Sequence, residues 1–184
     1  MSAFTKQNSR NIAAPDFGGG NKSVPVVFAA LPQTLAEFTA LPQAAMQTPQ
    51  DTAALFLAAM CLYPHNTDEA LAMIAYIKGP QPLSGYDKQF LADRMRGKPY
   101  LPLSFFAGAV PTNDYTPAQP YTVTVSETPY TYQEQGYAKL EIRSGGADSP
   151  RPVKLRLAKD GKWYLWEQFL LSDIRAPESA NPWA

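Results

Sequence analysis

One histidine and one cysteine, His65 and Cys61, are the chain's whole stock of the two side chains that most often serve as base, nucleophile or metal ligand. A Ser/His/Asp relay would have to run through His65. That residue follows Tyr63 and Pro64 at the end of an apolar stretch, where an imidazole meets solvent or a helix C-terminal dipole. Cys61 lies inside the stretch, and a thiol among apolar neighbours behaves as a small core residue. A His/Cys metal site lacks ligands, and Asp and Glu do not cluster with the spacing of an oxygen-ligand site. Gly18, Gly19 and Gly20 are not followed by the Lys, Ser/Thr and helix of a phosphate loop. No catalytic residue, metal or cofactor is expected from this inventory.

Two groups of residues stand out for binding instead. In residues 144–151, Gly145 and Gly146 permit unusual backbone geometry, and Asp148, Ser149 and Arg151 set an acceptor, a hydroxyl and a fork of donors close together. Such a hairpin loop either serves itself, with Asp148 capping backbone N–H groups or pairing with Arg151, or contacts a small anion or peptide. The second group lies on the hairpin that follows. Val153, Leu155 and Leu157 alternate with Lys154 and Arg156, a strand with one face in the core and one in water. Asp160 and Gly161 then mark a turn, because both tolerate positive φ.

The return strand, residues 163–168, holds Trp163, Tyr164 and Trp166, and neither of its faces is plainly polar. A two-residue turn at Asp160 and Gly161 would set Tyr164 and Trp166 beside Leu157 and Leu155. A three-residue loop starting at Lys159 would set Trp163 and Leu165 there. In either register one aromatic set shares the face of Lys154 and Arg156, part of a mixed-sign mosaic with Lys139, Glu141 and Arg143. Either Arg156 packs over a tryptophan of its own chain, or the face is suited to protein contact, where aromatics and arginine are favoured.

The elements that position these groups are legible from caps and periodicity. Thr34, Thr48, Asn66 and Ser84 each precede an acidic residue by three positions (Glu37, Asp51, Glu69, Asp87), the arrangement of a capped helix start. The second helix, from Pro49 to about Tyr63, is apolar almost all round and is predicted to be the central buried one. The third, residues 67–78, carries Ala70, Leu71, Ile74 and Ile77 on one stripe, and the fourth, residues 85–96, shows Phe90, Leu91 and Met95 among charges. Residues 98–120 read as a long connection pinned by proline and aromatic contacts.

From Tyr121 the period becomes two: Tyr121, Val123 and Val125, then Ala138, Leu140 and Ile142. With the hairpin this predicts an α+β fold, four N-terminal helices on one face of a four-stranded antiparallel meander. Residues 1–23 read as a flexible arm, residues 24–184 as a single domain, and residues 24–30 as an edge strand or an extended segment over the core. The tail from Leu171 is expected to fold back over the body.

Sixteen basic residues balance sixteen acidic ones in 184, so no overall field steers the chain toward nucleic acid or an anionic membrane. The longest apolar run, residues 53–63, falls short of the roughly 20 residues a spanning helix needs. The N-terminus lacks the apolar core of a secretory signal, and a cytoplasmic protein is expected.

Two stretches are familiar: SFFAGAVPTNDYTPAQPYTVTV over residues 104–125, and RSGGADSPRPVKLRLAKDGKWYLWEQFLLSDIR over residues 143–175, with the terminal NPWA. They resemble an uncharacterised bacterial domain family found mainly in Firmicutes, over residues 30 to the end, and the resemblance brings no activity, substrate or catalytic residue with it. The architecture is similar to the nuclear-transport-factor-2-like cone, although the strand pair that superfamily carries between its second and third helices is not visible. The shortage of catalytic residue types beside surplus aromatics points to a binding or protein-interaction module. The competing reading is a small-molecule or enzymatic pocket between the central helix and the sheet.

Overall fold

The computed structural model describes residues 21–183. Most of the expected N-terminal arm lies outside the described residues, and Ser23, its last residue, already belongs to the sheet. The helices are α1 (Leu35–Thr39), α2 (Pro49–Leu62), α3 (Thr67–Lys78) and α4 (Gly85–Met95). The strands are β1 (Ser23–Phe28), β2 (Tyr121–Ser126), β3 (Tyr137–Ile142), β4 (Arg151–Leu157) and β5 (Trp163–Gln168). All neighbours are antiparallel, in the order β1-β2-β3-β4-β5. The sheet therefore has five strands, not the four expected. The added strand is β1, which tolerates Pro25 because it lies at the sheet edge, and which buries Val26 and Phe28.

All four N-caps form as their chemistry dictates. Thr34, Thr48, Asn66 and Ser84 accept from the N–H three residues on, at 3.1, 3.2, 3.2 and 3.0 Å. Asp87 completes a reciprocal box by accepting from the Ser84 N–H at 2.9 Å. Glu69 instead accepts from the Leu35 N–H at the start of α1, so one carboxylate ties two helix beginnings together.

Helix α2 is the centre of the domain. Twelve of its 14 residues are buried, and it touches all five strands as well as α3. Ala53, Ala54, Ala58 and Ala59 bring its backbone close to its neighbours, while Leu55, Phe56, Leu57 and Met60 fill the layer above Val123, Val125, Leu140 and Leu155. Its first turn also fixes β5, because the Thr52 hydroxyl donates to the Trp163 carbonyl at 2.6 Å. Residues 63–66 join α2 directly to α3, with no strand pair between them.

The sheet is not continuous across its width. Strands β2 and β3 share two register pairs, Val125 with Ile142 and Ser126 with Glu141. Beyond them the chain diverges. Residue Phe106 bridges Val123, the Ala107 N–H donates to the Thr122 carbonyl, and the Lys139 N–H turns to the Thr131 carbonyl. The long connection thus fills one side of the split, and the loop of residues 127–136 fills the other.

Truncating a side chain at the centre of this layer should leave a void the surrounding strands cannot close. Leu57→Ala is expected to lower the unfolding free energy by about 3 kcal/mol, read as a lower urea midpoint with an unchanged slope. A loss well under about 1 kcal/mol would mean that α2 is not the packed centre.

Candidate functional site

The hairpin takes the longer of the two loops. Leu157 faces Trp163 and Leu155 faces Leu165, so Trp163 and Leu165 turn to the helices and are buried, and Tyr164 and Trp166 turn outward. Gly161, at φ +82°, and the Ala158 N–H donating to the Lys162 carbonyl at 2.9 Å close a three-residue loop. One position later the register slips. Lys154 faces Glu167, which leaves Trp166 as the extra residue of a β-bulge. The bulge keeps Leu165 in the core while aiming Trp166 across the outer face.

That outer face carries a layer of rings and cations. Tyr137, Arg156 and Tyr164 stand in one row across β3, β4 and β5, with Lys139, Lys154 and Glu167 in the next. The Arg156 guanidinium lies 4.7 Å from the Trp166 ring centre and 5.5 Å from that of Tyr137, and the two rings meet edge to face at 5.7 Å. Lys154 Nζ stands 4.4 Å from the Tyr137 ring and 2.6 Å from Glu134 Oε2, a bond that holds its pKa above the ordinary lysine value. Arg156 over an intramolecular tryptophan is therefore realised, and the outer side of the layer faces solvent. Tyr130 and Phe169, 68% and 53% exposed, flank a cleft of about 570 Å³ beside Lys154 and Glu167. A second cleft, also about 570 Å³, runs along Arg156, Tyr164 and Trp166 to the connection between α3 and α4.

The other expected group sits elsewhere. Arg151 has the parity of Val153 and Leu155, so it starts on the helix side of the sheet, five residues and about 17 Å along β4 from Arg156. Its Nε donates to the Ser172 carbonyl at 2.9 Å, one terminal nitrogen to the carbonyl and hydroxyl of Ser149, and the other to the Asp173 carbonyl at 2.8 Å. Asp148 pairs with Arg175 at 2.9 Å rather than with Arg151. The two glycines serve close approach, not unusual dihedrals. A Cβ on Gly145 would sit 2.0 Å from the Ala109 carbonyl oxygen, and one on Gly146 would sit 2.0 Å from the Tyr115 hydroxyl. Residues 144–151 form a seam with the long connection and the tail: Tyr115 donates to the Arg175 carbonyl at 2.6 Å and stacks on Tyr100 at 5.4 Å.

His65 is exposed beyond the end of α2, and burial around its sulfur pushes the Cys61 thiol well up. Among the described residues no group of three or more His, Cys, Asp and Glu could hold a metal ion, and no helix is long and apolar enough to cross a membrane. A groove of about 400 Å³ between α4 and β5 reaches down to Phe56, but it opens at the sheet edge rather than between α2 and the strands.

A family model for a domain of unknown function, DUF6935, matches residues 30–178. The chain belongs to that family. The match takes in the seam, the split between β2 and β3 and the outer-face cluster, and begins just after β1. No curated protein and no solved structure matches the chain.

Lys78 also lines this surface and carries no role in the sequence analysis. It follows Ala70 and Ile74 at intervals of four, so it continues the apolar stripe of α3, and a lysine there was the available signal. It is 9% exposed and lines both the α4 groove and the Arg156 cleft. Tyr130, Glu134 and Phe169 were also missed, since their approach to the hairpin depends on how two loops fold.

The loop that carries Tyr130 and Glu134 is anchored by a buried carboxylate. Glu127 Oε1 accepts from Gln50 Nε2 at 2.6 Å and from the Tyr132 hydroxyl at 2.8 Å. Burial first, then that bond to Glu127, pushes the Tyr132 pKa from 10.0 to about 12. Below pH 10 the phenol keeps its proton in both states. Between pH 10 and about 12 the unfolded chain releases it and the folded chain holds it, so this contribution to stability is lost as pH rises. Tyr132→Phe is expected to be less stable at neutral pH by about 1 kcal/mol and to decline less steeply than the parent through the alkaline window. Urea titrations across that range check it, and parallel curves for the two proteins refute it.

Proposed function

We propose that this DUF6935 domain is a non-catalytic binding module that holds a protein partner on the outer face of β3, β4 and β5. The observation that carries the reading is the bulge that sets the half-buried Trp166 on the outer face beside Arg156, with Tyr137, Tyr164 and Lys154 around it. Aromatic rings and arginine supply rigid, partly apolar contact area, which is the composition favoured at protein interfaces. The filled layer between α2 and the sheet, where residues 53–60 are at most 1% exposed, supports this reading over a small-molecule pocket in that position. The 144–151 seam, with the donors of Arg151 already engaged, supports the fold of the site from the other end of β4.

The test is affinity capture from native lysate with the parent chain and Trp166→Ala, each first checked by thermal melting. Trp166→Ala is expected to melt within a few degrees of the parent, since the ring is half-buried on the outer face, and to lose at least one partner. Recovery of the same proteins by both baits removes the support for this surface.

A further inference from the structure

The cleft beside Arg156 has a charge character that the rest of the outer face does not share. Three of its lining residues, Lys78, Arg156 and Lys159, are cations, none is a carboxylate, and Pro82, Tyr164 and Trp166 supply apolar wall. Tyr164 is held there by the backbone. Its ring lies where a Cβ on Gly79 would be, 2.2 Å from that position, and Gly79 itself adopts φ +59°. The Tyr164 hydroxyl donates to Asp160 at 2.7 Å, outside the cleft lining.

None of the three cations is in an ion pair among the described residues. Lys78 is more than nine-tenths buried, yet its ammonium is in none of the ion pairs of those residues, which join Arg96 to Asp93, Lys154 to Glu134 and Arg175 to Asp148. The Asp87 carboxylate feels the charge of Lys78, but its Oδ2 is engaged by the Ser84 N–H and hydroxyl, both at 2.9 Å. Arg156 is exposed, stands over the Tyr137 and Trp166 rings and lines the cleft, and its guanidinium is in none of those ion pairs. The Lys78 stem is buried while its ammonium reaches the cleft, where a carboxylate bound beside it would form charge-assisted hydrogen bonds.

We propose that this cleft binds an acidic segment of a partner protein, with a carboxylate on Lys78 and Arg156 and a neighbouring apolar side chain against Trp166, Tyr164 and Pro82. The inference rests on the outer-face reading above and names the chemistry of its partner. The charge balance of the lining selects an anion, and its apolar wall selects a peptide over a bare ion.

The experiment selects short random peptides, displayed on phage, against the full chain. Binding of the selected peptides is then measured by fluorescence anisotropy to the parent, Lys78→Met, Arg156→Gln and Trp166→Ala, with inorganic phosphate as competitor at matched ionic strength. Expected are sequences enriched in Asp or Glu next to Leu, Phe or Pro, weakened about tenfold or more by each variant and weakened by salt. Selection of neutral or basic sequences overturns the proposal. So does phosphate that displaces the peptides at concentrations where it should act only as salt, which would make the occupant a free anion. Peptides lost on Trp166→Ala but kept on Lys78→Met refute the acidic-segment inference and leave the outer-face reading standing, whereas peptides indifferent to all three folded variants refute both.

Discussion

The packing of α2 across the whole width of the sheet is the contact on which everything else in this domain depends. A five-stranded antiparallel sheet with one apolar face needs a cover that reaches from edge to edge. A 14-residue helix is about 21 Å long at 1.5 Å per residue, close to the width of five strands spaced roughly 4.8 Å apart. Small residues at four of its positions let α2 lie close, and its near-complete burial explains why it shows no polar stripe. The other helices then pack around α2, the split between β2 and β3 is sealed by segments that lean on it, and the outer face is met by the chain after α3 only beside Tyr164.

Much of that arrangement was legible because its causes are local. A helix start is specified by a cap and an acid three residues later, and four such pairs produced four helices. The fifth strand was ambiguous because its evidence is not local. Residue Ser23 pairs with Ser126, and Pro25 between them reads as a strand breaker until its place at an edge is known. The hairpin register was undetermined for a different reason. Both faces of β5 are apolar, so periodicity carries no preference, and the decision falls to the three-residue loop at Gly161 and the bulge at Trp166.

The site divides along the same line. Arg156, Tyr164 and Trp166 lie on adjoining strands: alternation keeps Tyr164 with Trp166, and the hairpin loop sets that pair on the face of Arg156. Lys78 comes from a helix end far from them in sequence, and its place beside them is set by Gly79, whose bare Cα allows the Tyr164 ring to press against the chain. Residues 144–151 allow either a loop that serves itself or a ligand contact, and their polar groups make internal bonds. A pair of glycines beside Asp, Ser and Arg suggests a ligand loop, but here the missing side chains make room for a carbonyl and a phenol, and the arginine holds the tail. Composition shows that a loop has polar capacity without showing who uses it.

The margins of the sheet have a consequence of their own. At β1, Pro25 withholds an amide and Gln43 Nε2 caps the Val27 carbonyl at 2.8 Å. At β5, the Trp163 amide is taken by the Met46 carbonyl at 2.9 Å, and the chain after α3 presses on Tyr164. A sheet finished in this way does not invite a visiting strand to extend its ladder. On the proposed binding reading, recognition would fall to side-chain chemistry rather than main-chain pairing, and the same blunted margins oppose edge-to-edge pairing between copies of the chain.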